Sequence, residues 1–257
     1  MAVGERRSQV CLGLDPAADT GAEVAADCER LIDLAGPACV AAKPQLACFE
    51  RLGGQGWAAL ERVVEAARDA GLLVVADAKR GDVPHTAATY AAALLGEAGL
   101  GADAVTVNPL LGRDSLEPWI EAAAARGAGI FVLVRTSNAG AADLLDLDAG
   151  GAPLHERLAA IVAAERRLDG AGGLSGMGAV VGATGPERLG RLRELMPSAI
   201  LLLPGIGAQG ASPEDVGPAL GDDPASILVP VSRAISAAED PAGAAASLRD
   251  RLWGLRA

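Results

Sequence analysis

The chain has 257 residues and a net charge of −11, and 51% of it is hydrophobic although only six residues are Phe, Trp or Tyr. The acidic balance argues against a nucleic-acid or anionic-membrane partner, both of which need basic faces, but leaves room for a small anion at a local positive site. The apolar content is too high for a disordered chain, and no apolar run reaches the ~20 residues that cross a bilayer.

From the amino terminus, MAVGERRSQ is short and polar, without a signal segment, so a cytoplasmic protein is expected. Eight nearly continuous apolar runs then follow, at 10–14, 39–42, 72–76, 104–107, 129–134, 179–182, 199–203 and 226–231. Such runs suit parallel strands covered on both faces. Ala-rich helical stretches alternate with them near 22–35, 55–70, 85–98, 115–126, 154–168, 186–196, 213–220 and 240–254. Ser115 before Leu116-Glu117, Ser212-Pro213-Glu214 and Asp240-Pro241 read as helix starts. Eight strand–helix units in about 250 residues predict a single-domain α/β chain folded as a (β/α)8 TIM barrel, with an open doubly wound sheet as the competing architecture. The stretch 138–153 is long for a connection and rich in Gly, Ala and Asp, so it is either functional or a solvated acidic insertion.

The four cysteines, Cys11, Cys28, Cys39 and Cys48, form no C-x-x-C pair, and His85 and His155 supply no companion zinc pattern. They are expected to be small thiols, with no metal and no disulfide. Chemistry in such a barrel belongs at the carboxyl ends of the strands. Those positions hold Asp15, Lys43, Asp77 with Lys79, Asn108, Thr136 and Ser137, the glycine-rich turn from Gly205 through Gly207 to Gln209, and Ser232 with Arg233. Singly, each has an ordinary reading as a turn former or cap. Converging on one mouth, they predict a pocket. The Leu203–Gly210 turn has the glycines and side-chain amide of a phosphate cradle, and Arg233 on the next strand adds a guanidinium fork.

Lys43 and Lys79 are the only lysines, against 20 arginines. Lysine differs from arginine in being a compact charge able to hand over a proton. Asp77 and Lys79, two apart on an extended segment, should point to one side. A lysine between Asp77 and Asp82 should stay an ammonium, suited to proton donation rather than Schiff-base chemistry. Asp82 lies in the following loop, facing its own barrel or reaching a neighbour.

The segment Asp77-Ala78-Lys79-Arg80-Gly81-Asp82-Val83-Pro84-His85-Thr86 resembles the D-x-K-R-x-D-[IV]-x-x-T signature of the orotidine 5′-phosphate decarboxylases. The resemblance extends, in the family's order, to Gly13-Leu14-Asp15, Ala42-Lys43-Pro44-Gln45, Arg135-Thr136-Ser137-Asn138, Pro204 to Gly210 and Val231-Ser232-Arg233-Ala234, in forms similar to the longer bacterial subgroup. It implies a homodimer without cofactor or metal that converts orotidine 5′-phosphate to uridine 5′-phosphate and CO2. By position, Lys43, Asp77, Lys79 and Asp82 of the partner subunit would form a charged tetrad, with Lys79 protonating C6 and Asp77 beside the substrate carboxylate. Asp15, Lys43, the partner's Asp82 and the partner's Thr86 would meet ribose hydroxyls, and the partner's Val83 would give an apolar wall. Ser137, or Thr136 one residue earlier, would contact the base. Gln209 would bridge base and phosphate, and Gly207, Ser232 and Arg233 would lie at the phosphate. The competing reading is a magnesium-dependent sugar-phosphate decarboxylase or aldolase on a similar barrel, which Lys79-Arg80 and Lys43-Pro44-Gln45 disfavour.

Overall fold

The computed structural model describes residues 2–170, 172–207 and 210–255. Eight parallel strands close into a barrel in sequential order: β1 (Val10–Leu14), β2 (Ala41–Pro44), β3 (Leu73–Arg80), β4 (Ala104–Val107), β5 (Gly129–Arg135), β6 (Ser175–Val181), β7 (Ala199–Leu202) and β8 (Ile227–Val231). β1 pairs with both β2 and β8, which closes the ring and overturns the open-sheet alternative. The helices are α1 (Ala2–Arg6), α2 (Gly21–Ala35), α3 (Leu46–Glu50), α4 (Gly54–Asp69), α5 (Pro84–Leu95), α6 (Glu117–Arg126), α7 (Ala142–Leu145), α8 (Leu154–Ala164), α9 (Pro186–Leu195), α10 (Arg233–Ser236) and α11 (Pro241–Gly254).

The strand period of two sorts each strand between two cores. Val10, Leu12 and Leu14 face the helices, packing in the cluster that includes Val24, Ile32 and Leu252. Cys11, Val75, Phe131, Val180 and Leu202 fill the barrel interior. Val3 of α1 joins that interior cluster, so the polar-looking start plugs the amino-terminal end of the barrel. Arg6 stitches the plug to the neighbouring loops through the carbonyls of Cys39, Ala70 and Gly71.

Several element boundaries differ from the sequence expectation for local reasons. β2 starts at Ala41 because it pairs from there with Cys11 to Leu14, while Cys39 ends a short 3-10 turn. β3 runs four residues further than its apolar run, to Arg80, because pairing with β4 resumes after a register shift. β6 begins at Ser175, in a stretch whose glycines interrupt the apolar pattern; at Gly178 a Cβ would lie 2.7 Å from the Phe131 ring. Helix α8 stops at Ala164 because the Glu165 carboxylate takes the backbone N–H groups of Arg166 and Arg167. The stretch 213–219 is 3-10 rather than α, with Pro218 inside it. Ser115 does not cap a helix; its hydroxyl donates to the Gly112 carbonyl and α6 begins two residues later. Asp240 does cap α11, through the Gly243 N–H. Among the described residues no helix is long and apolar enough to cross a membrane.

Candidate active site

At the carboxyl ends of the strands lies a cavity of about 400 Å³, a size that suits a small molecule. Its inner end is an ion cluster centred on Asp77. One carboxylate oxygen, Oδ2, accepts from Lys43 Nζ and, at 3.2 Å, from Gln45 Nε2. The other, Oδ1, accepts from Lys79 Nζ at 2.5 Å and from the Thr106 hydroxyl at 3.0 Å. Thr106 in turn accepts the Lys79 backbone N–H at 2.9 Å, so β4 holds both ends of the Asp77-x-Lys79 unit.

The expectation that Asp77 and Lys79 share a side holds, but not by simple strand alternation. Lys79 has φ 50, in the left-handed region, at the register shift between β3 and β4. That conformation costs a non-glycine residue on the order of 1 kcal/mol or more and persists where surrounding bonds over-determine it, often at functional sites. Here the Thr106 hydroxyl and Asp77 carboxylate supply those bonds. Burial by itself would raise the Asp77 carboxyl, but the Lys43 and Lys79 ammonium groups overcome it and hold the pKa down to about 2. Burial likewise opposes the charge on Lys43, yet attraction to Asp77, with Asp15 adding, raises its pKa above the ordinary lysine value. The side chain of Lys43 is 10% exposed and that of Lys79 43%, so Lys79 presents its ammonium to the cavity while Lys43 is enclosed. The Arg80 side chain of the same signature points elsewhere: it pairs with Glu50 of α3 and lies 5.6 Å over the Tyr90 ring of α5.

The outer end is open. Pro204, Gly205 and Ile206 form the turn after β7, with Gly205 and Gly207 at φ 121 and 77. Gly207 itself does not line the cavity, and its N–H is used by the Ala211 carbonyl at 2.9 Å. Arg233 lines the cavity and is exposed, and its guanidinium makes no hydrogen bond or ion pair with the described residues. An unpaired guanidinium beside a concave surface is a ready partner for an anion.

The cavity thus gathers Asp15, Lys43, Asp77, Lys79, Thr136, Ser137, Ser232 and Arg233. It does not include Asp82, Val83 or Thr86 of the same chain. Asp82 is half-buried and accepts the Val83 N–H at 2.8 Å, and Val83 is 53% exposed. Gln209 lies outside the described residues. Two functional positions went unassigned from sequence, Gln45 and Thr106. Thr106 had a signal, as the one polar side chain in an otherwise apolar strand run, AVTV. The cysteines are unpaired; burial pushes the thiols of Cys11, Cys28 and Cys39 up to about 12, which keeps them unreactive.

A sequence model of the orotidine 5′-phosphate decarboxylase / HUMPS family matches residues 8–248. Orotidine 5′-phosphate decarboxylase of Rhodopirellula baltica is 44% identical over 252 residues, covering 89% of this chain and 83% of the relative. The Deinococcus radiodurans protein of the same name is 43% identical over 259 residues, covering 97% and 93%. The structure of Leishmania donovani OMP decarboxylase matches with a TM-score of 0.86 and 39% identity, over 99% of this chain and 97% of that one. With the closed barrel and the ion cluster at its mouth, these matches show that the chain belongs to the orotidine 5′-phosphate decarboxylase / HUMPS family.

Proposed function

We propose that the chain decarboxylates orotidine 5′-phosphate to uridine 5′-phosphate and CO2, the last step of de novo pyrimidine nucleotide synthesis. The observation that carries this reading is the Lys43–Asp77–Lys79 cluster, with one enclosed and one accessible ammonium, at the floor of a cavity also lined by Arg233, whose guanidinium has no partner among the described residues. Loss of CO2 leaves the electron pair of the broken bond on C6, with no conjugated sink to receive it. The protein's contribution is then electrostatic: a fixed ammonium where negative charge develops. Lys79 gives its proton to C6 and is left as a neutral amine; its exposure lets solvent return the proton. Lys43 and Thr106 keep Asp77 in place, and Asp77 keeps Lys79 in place. Asp77 beside the substrate carboxylate adds ground-state repulsion that departure of CO2 relieves. Asp15 and Lys43 take ribose hydroxyls, Thr136 or Ser137 the base, and Ser232, Arg233 and Gln209 the phosphate end, while Gly207, its N–H already bonded to Ala211, shapes the turn beside it. These steps call on no cofactor and no metal.

The working unit is a homodimer. Asp82, Val83 and Thr86 stand outside their own cavity, and Val83, Leu110 and Leu111 are large apolar side chains left 53%, 66% and 46% exposed. Exposed apolar side chains suit a second copy, in which Asp82 of the partner subunit completes the tetrad and the partner's Val83 and the partner's Thr86 reach the substrate. The whole chain then acts as one catalytic domain. Its four unpaired cysteines fit the reducing cytoplasm.

Ultraviolet absorbance of orotidine 5′-phosphate mixed with the protein and a chelator tests the reaction. The orotate chromophore should disappear as uridine 5′-phosphate forms. Turnover only with added magnesium, on a sugar phosphate, would instead support the competing barrel chemistry. Sharing of sites is tested by mixing inactive Lys79→Ala and Asp82→Ala chains: activity should return once subunits exchange, and its absence after verified exchange would place Asp82 in its own site.

A further inference from the structure

Residues 138–153, between β5 and α8, have no part in the chemistry above, and neither does Arg135, the last residue of β5. Arg135 is buried, and all three of its guanidinium nitrogens are engaged. Nε and Nη2 donate to the two oxygens of Asp146 at 2.8 and 3.0 Å, and Nη1 donates to the Thr136 carbonyl at 2.6 Å. Asp146 stands in the middle of the 138–153 excursion, just after α7. His155 of α8 closes its other side, with Nδ1 2.8 Å from the Leu145 carbonyl and 3.1 Å from Asp146 Oδ1. Arg188 of α9 is 4.0 Å from Asp146 Oδ2. Its hydrogen bonds from Arg135 hold the Asp146 carboxyl below the usual carboxylate range, against the opposing effect of partial burial. The return leg is folded too: the Leu154 N–H donates to the Leu147 carbonyl at 2.8 Å, and Asp148 bridges to Pro153.

The backbone held in this way is a wall of the cavity. Thr136, Ser137 and Asn138 line it, and the Thr136 hydroxyl donates to the Asn138 side-chain oxygen at 2.7 Å. From below, Ser137 rests on Gly182 just past β6, where a Cβ would fall 2.8 Å from the Ser137 Cα. The Gly182 N–H also donates to the Arg135 carbonyl at 2.7 Å. The wall therefore has two holds: β6 beneath it, and the Arg135–Asp146–His155 cluster behind it.

We infer that Arg135, Asp146 and His155 form a positioning clamp that braces the 138–153 excursion and so fixes residues 136–138 as a back wall for the base, setting substrate affinity without touching substrate. The clamp is seen in the geometry alone; that the wall faces a pyrimidine rests on the decarboxylase reading. A bidentate guanidinium–carboxylate pair fixes orientation as well as distance, and a lysine or a neutral amide cannot reproduce it. A wall that grips the ground state and the transition state alike acts on KM rather than kcat.

The test is the Asp146→Asn variant, with Arg135→Lys and the double variant beside it. For Asp146→Asn, KM for orotidine 5′-phosphate should rise about tenfold, the effect of losing roughly one charge-assisted hydrogen bond, while kcat stays within about twofold. Backbone amides of 138–147 should exchange hydrogen faster than in the wild type, with no substrate present. The double variant should be no worse than the worse single, because both break one unit; strictly additive losses would overturn the clamp. Unchanged KM with unchanged exchange would overturn it as well, and so would a lowered melting temperature with unchanged KM, which marks a merely structural pair. Should the wild type fail to consume orotidine 5′-phosphate, the functional reading falls, and the exchange comparison still decides the clamp.

Discussion

At one end of the cavity Asp77 accepts four hydrogen bonds, from Lys43, Gln45, Lys79 and Thr106, whereas at the other the Arg233 guanidinium bonds to none of the described residues. The inner end is satisfied before any ligand arrives. Its charges pair, its strands hold one another in register, and even the left-handed backbone of Lys79 is tied down. The outer end is a turn and an exposed guanidinium awaiting an anion. The contrast separates two tasks. Stabilising charge that develops in the transition state demands dipoles and ammonium groups already in place, since reorganising them during the reaction would cost what they contribute. Gripping a substrate's remote anion tolerates an open site, and its binding energy can be used to hold the reacting end in position.

The largest effect should come from breaking the inner end. Lys79→Ala removes both the proton donor and the accessible ammonium, and kcat should fall by ~10⁴ or more, from general-acid and electrostatic contributions together. Binding of uridine 5′-phosphate should survive within roughly tenfold, because Arg233 and the turn are untouched. Wild-type-like turnover in that variant would end the proton-donor role.

A smaller effect concerns stability. The Asp77 pKa, held to about 2 against an ordinary 3.8, lies below its unfolded value. Ionised Asp77 therefore stabilises the fold above pH ~4, and that contribution, ~2 kcal/mol, is lost as pH falls through ~2. Urea unfolding at pH 5 and at pH 2 should show the wild type losing about that much more than Asp77→Asn. Equal losses in the two proteins would mean that Asp77 is not the ionised centre of the cluster.

The barrel was legible because parallel strands covered on both faces read as apolar runs, and β1 and β4 occupy the same residues in sequence and structure. The cavity was legible where a chemical residue type sits at a strand end: Asp15, Lys43, Asp77, Arg233. What escaped was set by partners distant in sequence. No periodicity signals that β3 continues past Ala76, because its extension depends on pairing of Arg80 with Val107. The role of Val3 as a barrel plug depends on a helix too short to show a periodic pattern. Thr106 and the Arg135–Asp146 pair acquire meaning only when the fold brings them beside Asp77 and the cavity wall.

The division between the two ends is tested most directly by crossing one substitution with one missing substrate group. Wild type and Arg233→Ala would each be assayed on orotidine 5′-phosphate and on orotidine, which lacks the phosphate. Arg233→Ala should lower kcat/KM for the phosphorylated substrate on the order of 10–100-fold, the cost of losing a charge-assisted contact. On orotidine the two proteins should agree within about twofold, since no phosphate is there to lose. Equal losses on both substrates would contradict the division, placing Arg233 in the chemistry or in the fold rather than at the phosphate.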